Sequence, residues 1–141
     1  MEGFGGIIAF VAGWFISQVI KIFTEWARMG KMNKKEVFAL LVKSRSGGMP
    51  SGHSASFVAL TTYLGMFEGF GSGVFALAVC MTMIVIYDAL NVRRSVGEMG
   101  KVMKKERKIK RVVMGHSVPE VIVGGLLGIV VGMGVFWLVC Y

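Results

Sequence analysis

The chain has 141 residues, 55% of them hydrophobic, and a mean hydropathy of +0.67; a soluble domain carries an apolar share of about half or less, so an ordinary water-soluble fold is excluded. That length suits a single domain, residues 1–141, and leaves no room for a separate soluble module. All 16 Lys and Arg fall within 21–45 or 93–111, for a net charge of +8, and because these clusters flank apolar runs the positive-inside rule accounts for them better than nucleic acid does.

Crossing the hydrocarbon of a bilayer takes about 20 residues at 1.5 Å each. Gly5 to Phe23 meets that length and is the first predicted span. It is too long for the apolar part of a cleavable signal, and its positive charge follows rather than precedes it, so it is expected to be retained. Residues 34–43, Lys-Lys-Glu-Val-Phe-Ala-Leu-Leu-Val-Lys, are too few to span and predict an amphipathic helix in the interface. Ser54 to Phe70 is the second span, short and interrupted by Thr61 and Thr62. Gly71-Ser72-Gly73 turns it into the third, Val74 to Leu90, and Val118 to Tyr141 is the fourth. The predicted fold is all-α: a polytopic membrane helix bundle of about four transmembrane helices plus a short interfacial helix. Both basic segments then share one side, predicted to be the cytoplasm, with both termini outside a plasma or inner membrane.

Gly124, Gly128 and Gly132 recur every four residues in the fourth span. Such a stripe admits a second helix at close range, either from the same chain or from a second copy in a homodimer. Cys80 and Cys140 sit inside apolar spans and read as small hydrophobes. No Cys/His cluster, His-Glu-x-x-His pattern or acidic pair stands at metal-ligand spacing, so neither metal nor cofactor is expected.

The chemistry concentrates at the two histidines. Residues 47–54 read Gly-Gly-Met-Pro-Ser-Gly-His-Ser, a turn in which Gly47, Gly48 and Gly52 free the backbone to converge its N–H groups on an anion. The helix starting near Ser54 aims its positive end at the same place, Ser51 adds a hydroxyl, and His53 is set to exchange a proton with a bound phosphate ester. A plain helix start, with Pro50 and Ser51 capping, explains the same residues. The second histidine opens His116-Ser-Val-Pro-Glu120, with a carboxylate one helical turn on. Glu120 can hold one ring nitrogen and leave the other free to attack phosphorus. Alternatively, Ser117-Val-Pro-Glu120 is a capping box, and the two readings compete for one carboxylate. Between the histidines, Tyr87-Asp88-Ala-Leu-Asn-Val-Arg93-Arg94 leaves the membrane with two guanidinium groups suited to phosphate oxygens. Asp88, costly within a span unless paired, is expected to position one of them.

Taken together, Gly-Gly-Met-Pro-Ser-Gly-His-Ser, Tyr-Asp-Ala-x-x-Val-Arg-Arg and Gly-His-x-x-Pro-Glu-Val resemble the divergent branch of the type 2 phosphatidic acid phosphatase superfamily, related to acid phosphatases and vanadium-dependent haloperoxidases. The resemblance runs from about Gln18 to Gly128. It implies a metal-independent membrane phosphatase with a phosphohistidine intermediate: His116 as nucleophile, Glu120 as its orienter, His53 as general acid, and Ser51 and Gly52 as phosphate ligands. The superfamily's upstream Lys-x6-Arg-Pro pattern matches Lys21 and Arg28, with Met29 in place of Pro and Arg45 as a substitute for Arg28. Where most members have Arg six residues before the nucleophile this chain has Lys110, so Arg94 or Arg93 is expected to clamp phosphate, with residues 95–115 inserted. The expected substrate is a lipid or isoprenoid phosphate or diphosphate whose tail lies in the bilayer. A membrane protein that binds or carries phosphate head groups without cleaving them, and a structural subunit associating through the glycine stripe, are the other classes the sequence admits.

Overall fold

The computed structural model describes residues 2–29, 48–105 and 115–141. The described residues are helical throughout apart from short connections. In chain order they form α1 (Glu2–Met29), α2 (Gly52–Glu68), α3 (Gly73–Tyr87), a π-helical turn (Asp88–Val92), α4 (Arg93–Lys105) and α5 (Val118–Cys140). The interfacial helix expected at 34–43 lies outside the described residues. The all-α membrane bundle expected from the sequence is the fold observed.

Among the described residues, three stretches are long and apolar enough to cross a membrane: Phe4–Ala27, Gly73–Lys104 and Val118–Cys140. The second predicted span, α2, has 17 residues and so a length of about 26 Å. Its burial accounts for its modest hydropathy, because Ser54, Ala55, Ser56, Ala59 and Tyr63 face protein instead of lipid. The third span also departs from expectation. The helix does not stop at Leu90 but continues through the π-helical turn into α4, since no Gly or Pro interrupts Val74 to Val96.

The bundle is built around α2, which packs against α1, α3 and α5. A Cβ added at Gly124 would lie 2.5 Å from the Ser51 carbonyl oxygen, at Gly128 2.7 Å from that of Ala55, and at Gly132 2.5 Å from that of Ala59. The contacts advance together along both helices, so α5 runs parallel to α2 at nearly backbone distance. Of the two partners the sequence admits for the Gly124, Gly128 and Gly132 stripe, the one seen against it is a helix of the same chain. On the other flank α1 runs antiparallel: a Cβ added at Gly13 would lie 2.7 Å from the Ala55 carbonyl oxygen, and one at Gly5 would run into the Tyr63 ring. Ala9, Ala59, Tyr63, Val131 and Val135 form the core where α1, α2 and α5 meet.

Hydrogen bonds hold α3 to α2, as befits helices in lipid, where apolar burial gives little driving force. The Thr61 and Thr82 hydroxyls are 2.8 Å apart, Thr61 donates to the Ala78 carbonyl at 3.3 Å, and Thr82 to the Phe57 carbonyl at 3.4 Å. Cys80 and Cys140 are free thiols on the exposed surface. With α2 and α5 parallel and α1 and α3 opposed to them, Lys21, His53, Asp88 and His116 all come to one end of the bundle.

Candidate active site

Ser51 caps α2: its hydroxyl oxygen accepts from the Ser54 N–H at 3.4 Å and from the Ser54 hydroxyl at 3.1 Å, and its own N–H donates to the Glu120 carbonyl at 3.0 Å. It is fully buried, and it anchors the first histidine loop to the start of α5. His53 follows in the first turn of α2, beside Gly52.

Glu120 does everything the sequence offered as alternatives. Its Oε2 lies 3.0 Å from His116 Nδ1 and also accepts the Ser117 N–H at 3.1 Å, within a capping box at the start of α5. Its Oε1 accepts the Gly48 N–H at 3.1 Å, where Gly48 takes φ +97°, a conformation open chiefly to glycine. One carboxylate therefore orients the imidazole, caps the helix and ties down the opposite loop. With Nδ1 engaged, His116 keeps Nε2 for chemistry, and the ring is almost wholly buried.

The π-helical turn seats the second histidine loop. Its wider winding pairs the Arg93 N–H with the Asp88 carbonyl, while the Ala89 carbonyl accepts the His116 N–H at 3.2 Å; single π turns recur at functional sites for this kind of reason. Gly115 makes the approach possible, since a Cβ there would meet the Arg94 amide nitrogen at 2.5 Å and the Ala89 oxygen at 2.9 Å. Asp88 Oδ2 accepts from Arg93 Nε at 2.6 Å, so the arginine held by the acid is Arg93. Arg94 is exposed. The Arg28 side chain, Arg45 and Lys110 lie outside the described residues.

A cavity of about 260 Å³ opens between α1 and α2, lined by Phe10, Trp14, Gln18, Lys21, Gly52, His53, Ser56, Phe57 and His116. The His53 and His116 rings face it with centroids 6.2 Å apart. Lys21 is 3% exposed and its stem passes Gly48. Of the residues expected at the site, His53, His116, Lys21 and Gly52 line the cavity; Ser51 and Glu120 bond to the loops that carry the two histidines, and Asp88 with Arg93 lies outside the lining but acts electrostatically on His53. Gln18 and Ser56 were missed by the sequence reading. The signal was present in Phe10, Trp14, Gln18 and Lys21, which recur at helical spacing and place two polar groups on one face of an apolar span.

His53 stands ahead of the apolar run that begins at Ser54. Burial holds its imidazole below the usual value, the neighbouring Arg93, His116 and Lys21 add to this, and Asp88 opposes it. An anion in the cavity acts in the opposite direction and favours the protonated ring.

Two histidines, a buried lysine and a helix start thus surround one cavity at the end of a bundle whose helices include three long and apolar enough, among the described residues, to cross a membrane. The profile described as "Divergent PAP2 family" matches residues 5–131, and the chain belongs to that family. It is also similar to the "Uncharacterized membrane protein YuiD" of Bacillus subtilis (strain 168), with 30% identity over 146 residues covering 87% of this chain and 88% of the relative. No solved structure matches.

Proposed function

We propose that the protein is a phosphatase acting on a lipid or isoprenoid phosphate at the membrane surface, through a phosphohistidine. The observation that carries this reading is the pairing of His116 Nδ1 with Glu120 at 3.0 Å, beside a second histidine on the same cavity. His116 Nε2 attacks phosphorus as the bond to the leaving oxygen breaks, and His53 gives that oxygen its proton. His53 then takes a proton from water, whose oxygen attacks the phosphohistidine and releases inorganic phosphate. Lys21, the amides at the start of α2 and Arg93, steadied by Asp88, offset charge on the equatorial oxygens. The lowered proton affinity of His53 suits this cycle: a bound phosphate recruits the proton, and its departure returns a neutral base.

The test is inorganic phosphate release by the purified protein in detergent, offered several lipid phosphates with chelator present. Wild-type protein is expected to release phosphate, and His116→Ala to fall to background while remaining folded. Wild-type turnover by His116→Ala would remove the phosphohistidine mechanism.

A further inference from the structure

The cavity has two ends of different chemistry. Lys21, His53 and His116 form the polar end; one turn on from His53 along α2, about 6 Å away, Phe57 meets Phe10 edge to face with centroids 5.2 Å apart. Between them lie Trp14, Gln18 and Ser56. Gln18 is 3% exposed and Ser56 2%, and the Ser56 hydroxyl is turned to the Gly52 carbonyl at 2.9 Å. Trp14, by contrast, is 43% exposed, so the aromatic wall reaches the lipid-facing surface of the bundle.

Volume decides what fits. A cavity of about 150 Å³ takes one benzene ring, and pockets for drug-sized ligands begin near 300 Å³. The 260 Å³ here is therefore enough for a phosphate and a short apolar segment of one chain. A glycerol backbone carrying two acyl esters is both larger and branched at that point. Its ester carbonyls would also lie against Phe10, Trp14 and Phe57, which offer them no donor except the Trp14 indole N–H.

Resting on the phosphatase reading, we infer that the site selects phosphates borne on a single unbranched apolar chain, a prenyl or alkyl monophosphate, over diacylglycerol phosphate. Gln18 faces the atoms joining phosphate to tail. The Phe10 and Phe57 pair closes the inner end and turns the rest of the tail out past Trp14 into the bilayer. Phe10, Trp14, Gln18 and Phe57 are then the residues that set specificity.

Two measurements on the full-length protein in detergent keep this separate from the chemistry. The first compares phosphate release from farnesyl monophosphate and dioleoyl phosphatidic acid; the second compares binding of a single-chain alkyl phosphonate and a diacyl phosphonate, neither of which needs cleavage. The single-chain compound is expected to win both by about 10- to 200-fold, the range that shape discrimination in an apolar pocket reaches. Phe57→Ala and the milder Phe10→Leu should each shrink that ratio by raising use of phosphatidic acid. Equal use of both phosphates, or a ratio unmoved in both folded variants, overturns the inference and leaves the phosphatase reading intact. Single-chain preference in binding without any phosphate release does the reverse.

Discussion

Three N–H donors converge on Glu120, two of them backbone amides and the third the His116 ring, if Nδ1 carries its proton as an orienting carboxylate requires. Replacing it with Gln presents an NH₂ to one of these donors, so the substitution costs a hydrogen bond as well as a charge. Glu120→Gln should lower phosphate release by about 10²- to 10⁴-fold, the worth of a positioned acid–base group, and lower stability by about 1–3 kcal/mol for the unsatisfied donor. Ser117→Ala removes only the reciprocal cap, at about 1 kcal/mol with little change of rate. Thermal unfolding and phosphate release of both variants check this, and near-normal turnover in Glu120→Gln would reduce the carboxylate to a cap. Arg93 and Arg94 separate by titration. Arg93 depresses the His53 pKa, and its removal also frees Asp88, which raises it; both effects have one sign. Arg93→Ala should therefore move the His53 imidazole titration, followed by NMR, to higher pH, while Arg94→Ala leaves it in place. The histidines and Glu120 were legible in the sequence because their spacing carries chemistry. That one carboxylate serves three donors was not, since Gly48 lies 72 residues away along the chain.

Glycines decide how the helices meet. Gly128→Ala would drive a methyl toward the Ala55 carbonyl oxygen at 2.7 Å and force α5 from α2, whereas Gly134 has nothing within 4 Å of an added Cβ. Gly128→Ala should destabilise by about 1–3 kcal/mol, and Gly134→Ala should be neutral or stabilise by about 0.5–1 kcal/mol, measured as thermal unfolding in detergent. Gly115→Ala tests the seat of the proposed nucleophile: with His116 pushed off the π-helical turn, phosphate release should be lost in a chain whose bundle still forms, as read by helical circular dichroism. The glycine stripe was visible as a period of four, but a period names no partner. The third helix was misjudged at Leu90 because hydropathy marks where lipid ends, and a helix ends only where its hydrogen bonding or backbone freedom is interrupted.

At the scale of the molecule, four helix ends gather the chemistry at the face toward which both basic segments lead. The clustering of Lys and Arg predicts that this face is cytoplasmic. In a chain with Cys80 and Cys140 replaced by Ser, an impermeant maleimide added to whole cells should label Tyr141→Cys and spare Gly100→Cys; the opposite pattern would put the site on the outer face. All-α character and membrane residence were legible because apolar length and composition dictate them. The central place of α2 was hidden, as its Ser, Ala and Thr residues lower its hydropathy for the same reason that they suit it to the interior.

The burial of α2 also sets an order for biosynthesis. About 50 residues separate Glu68 from Val118, so at about 5–20 residues per second α2 waits roughly 3–10 s for α5 to emerge. Through that interval the Ser51, Ala55 and Ala59 carbonyls lack the Gly124, Gly128 and Gly132 face of α5, and the first histidine loop lacks Glu120 to hold Gly48 and Ser51. On the proposed reading a nascent chain thus has no complete site until α5 has inserted, and synthesis that stops before Val118 leaves the α5-facing side of α2 uncovered.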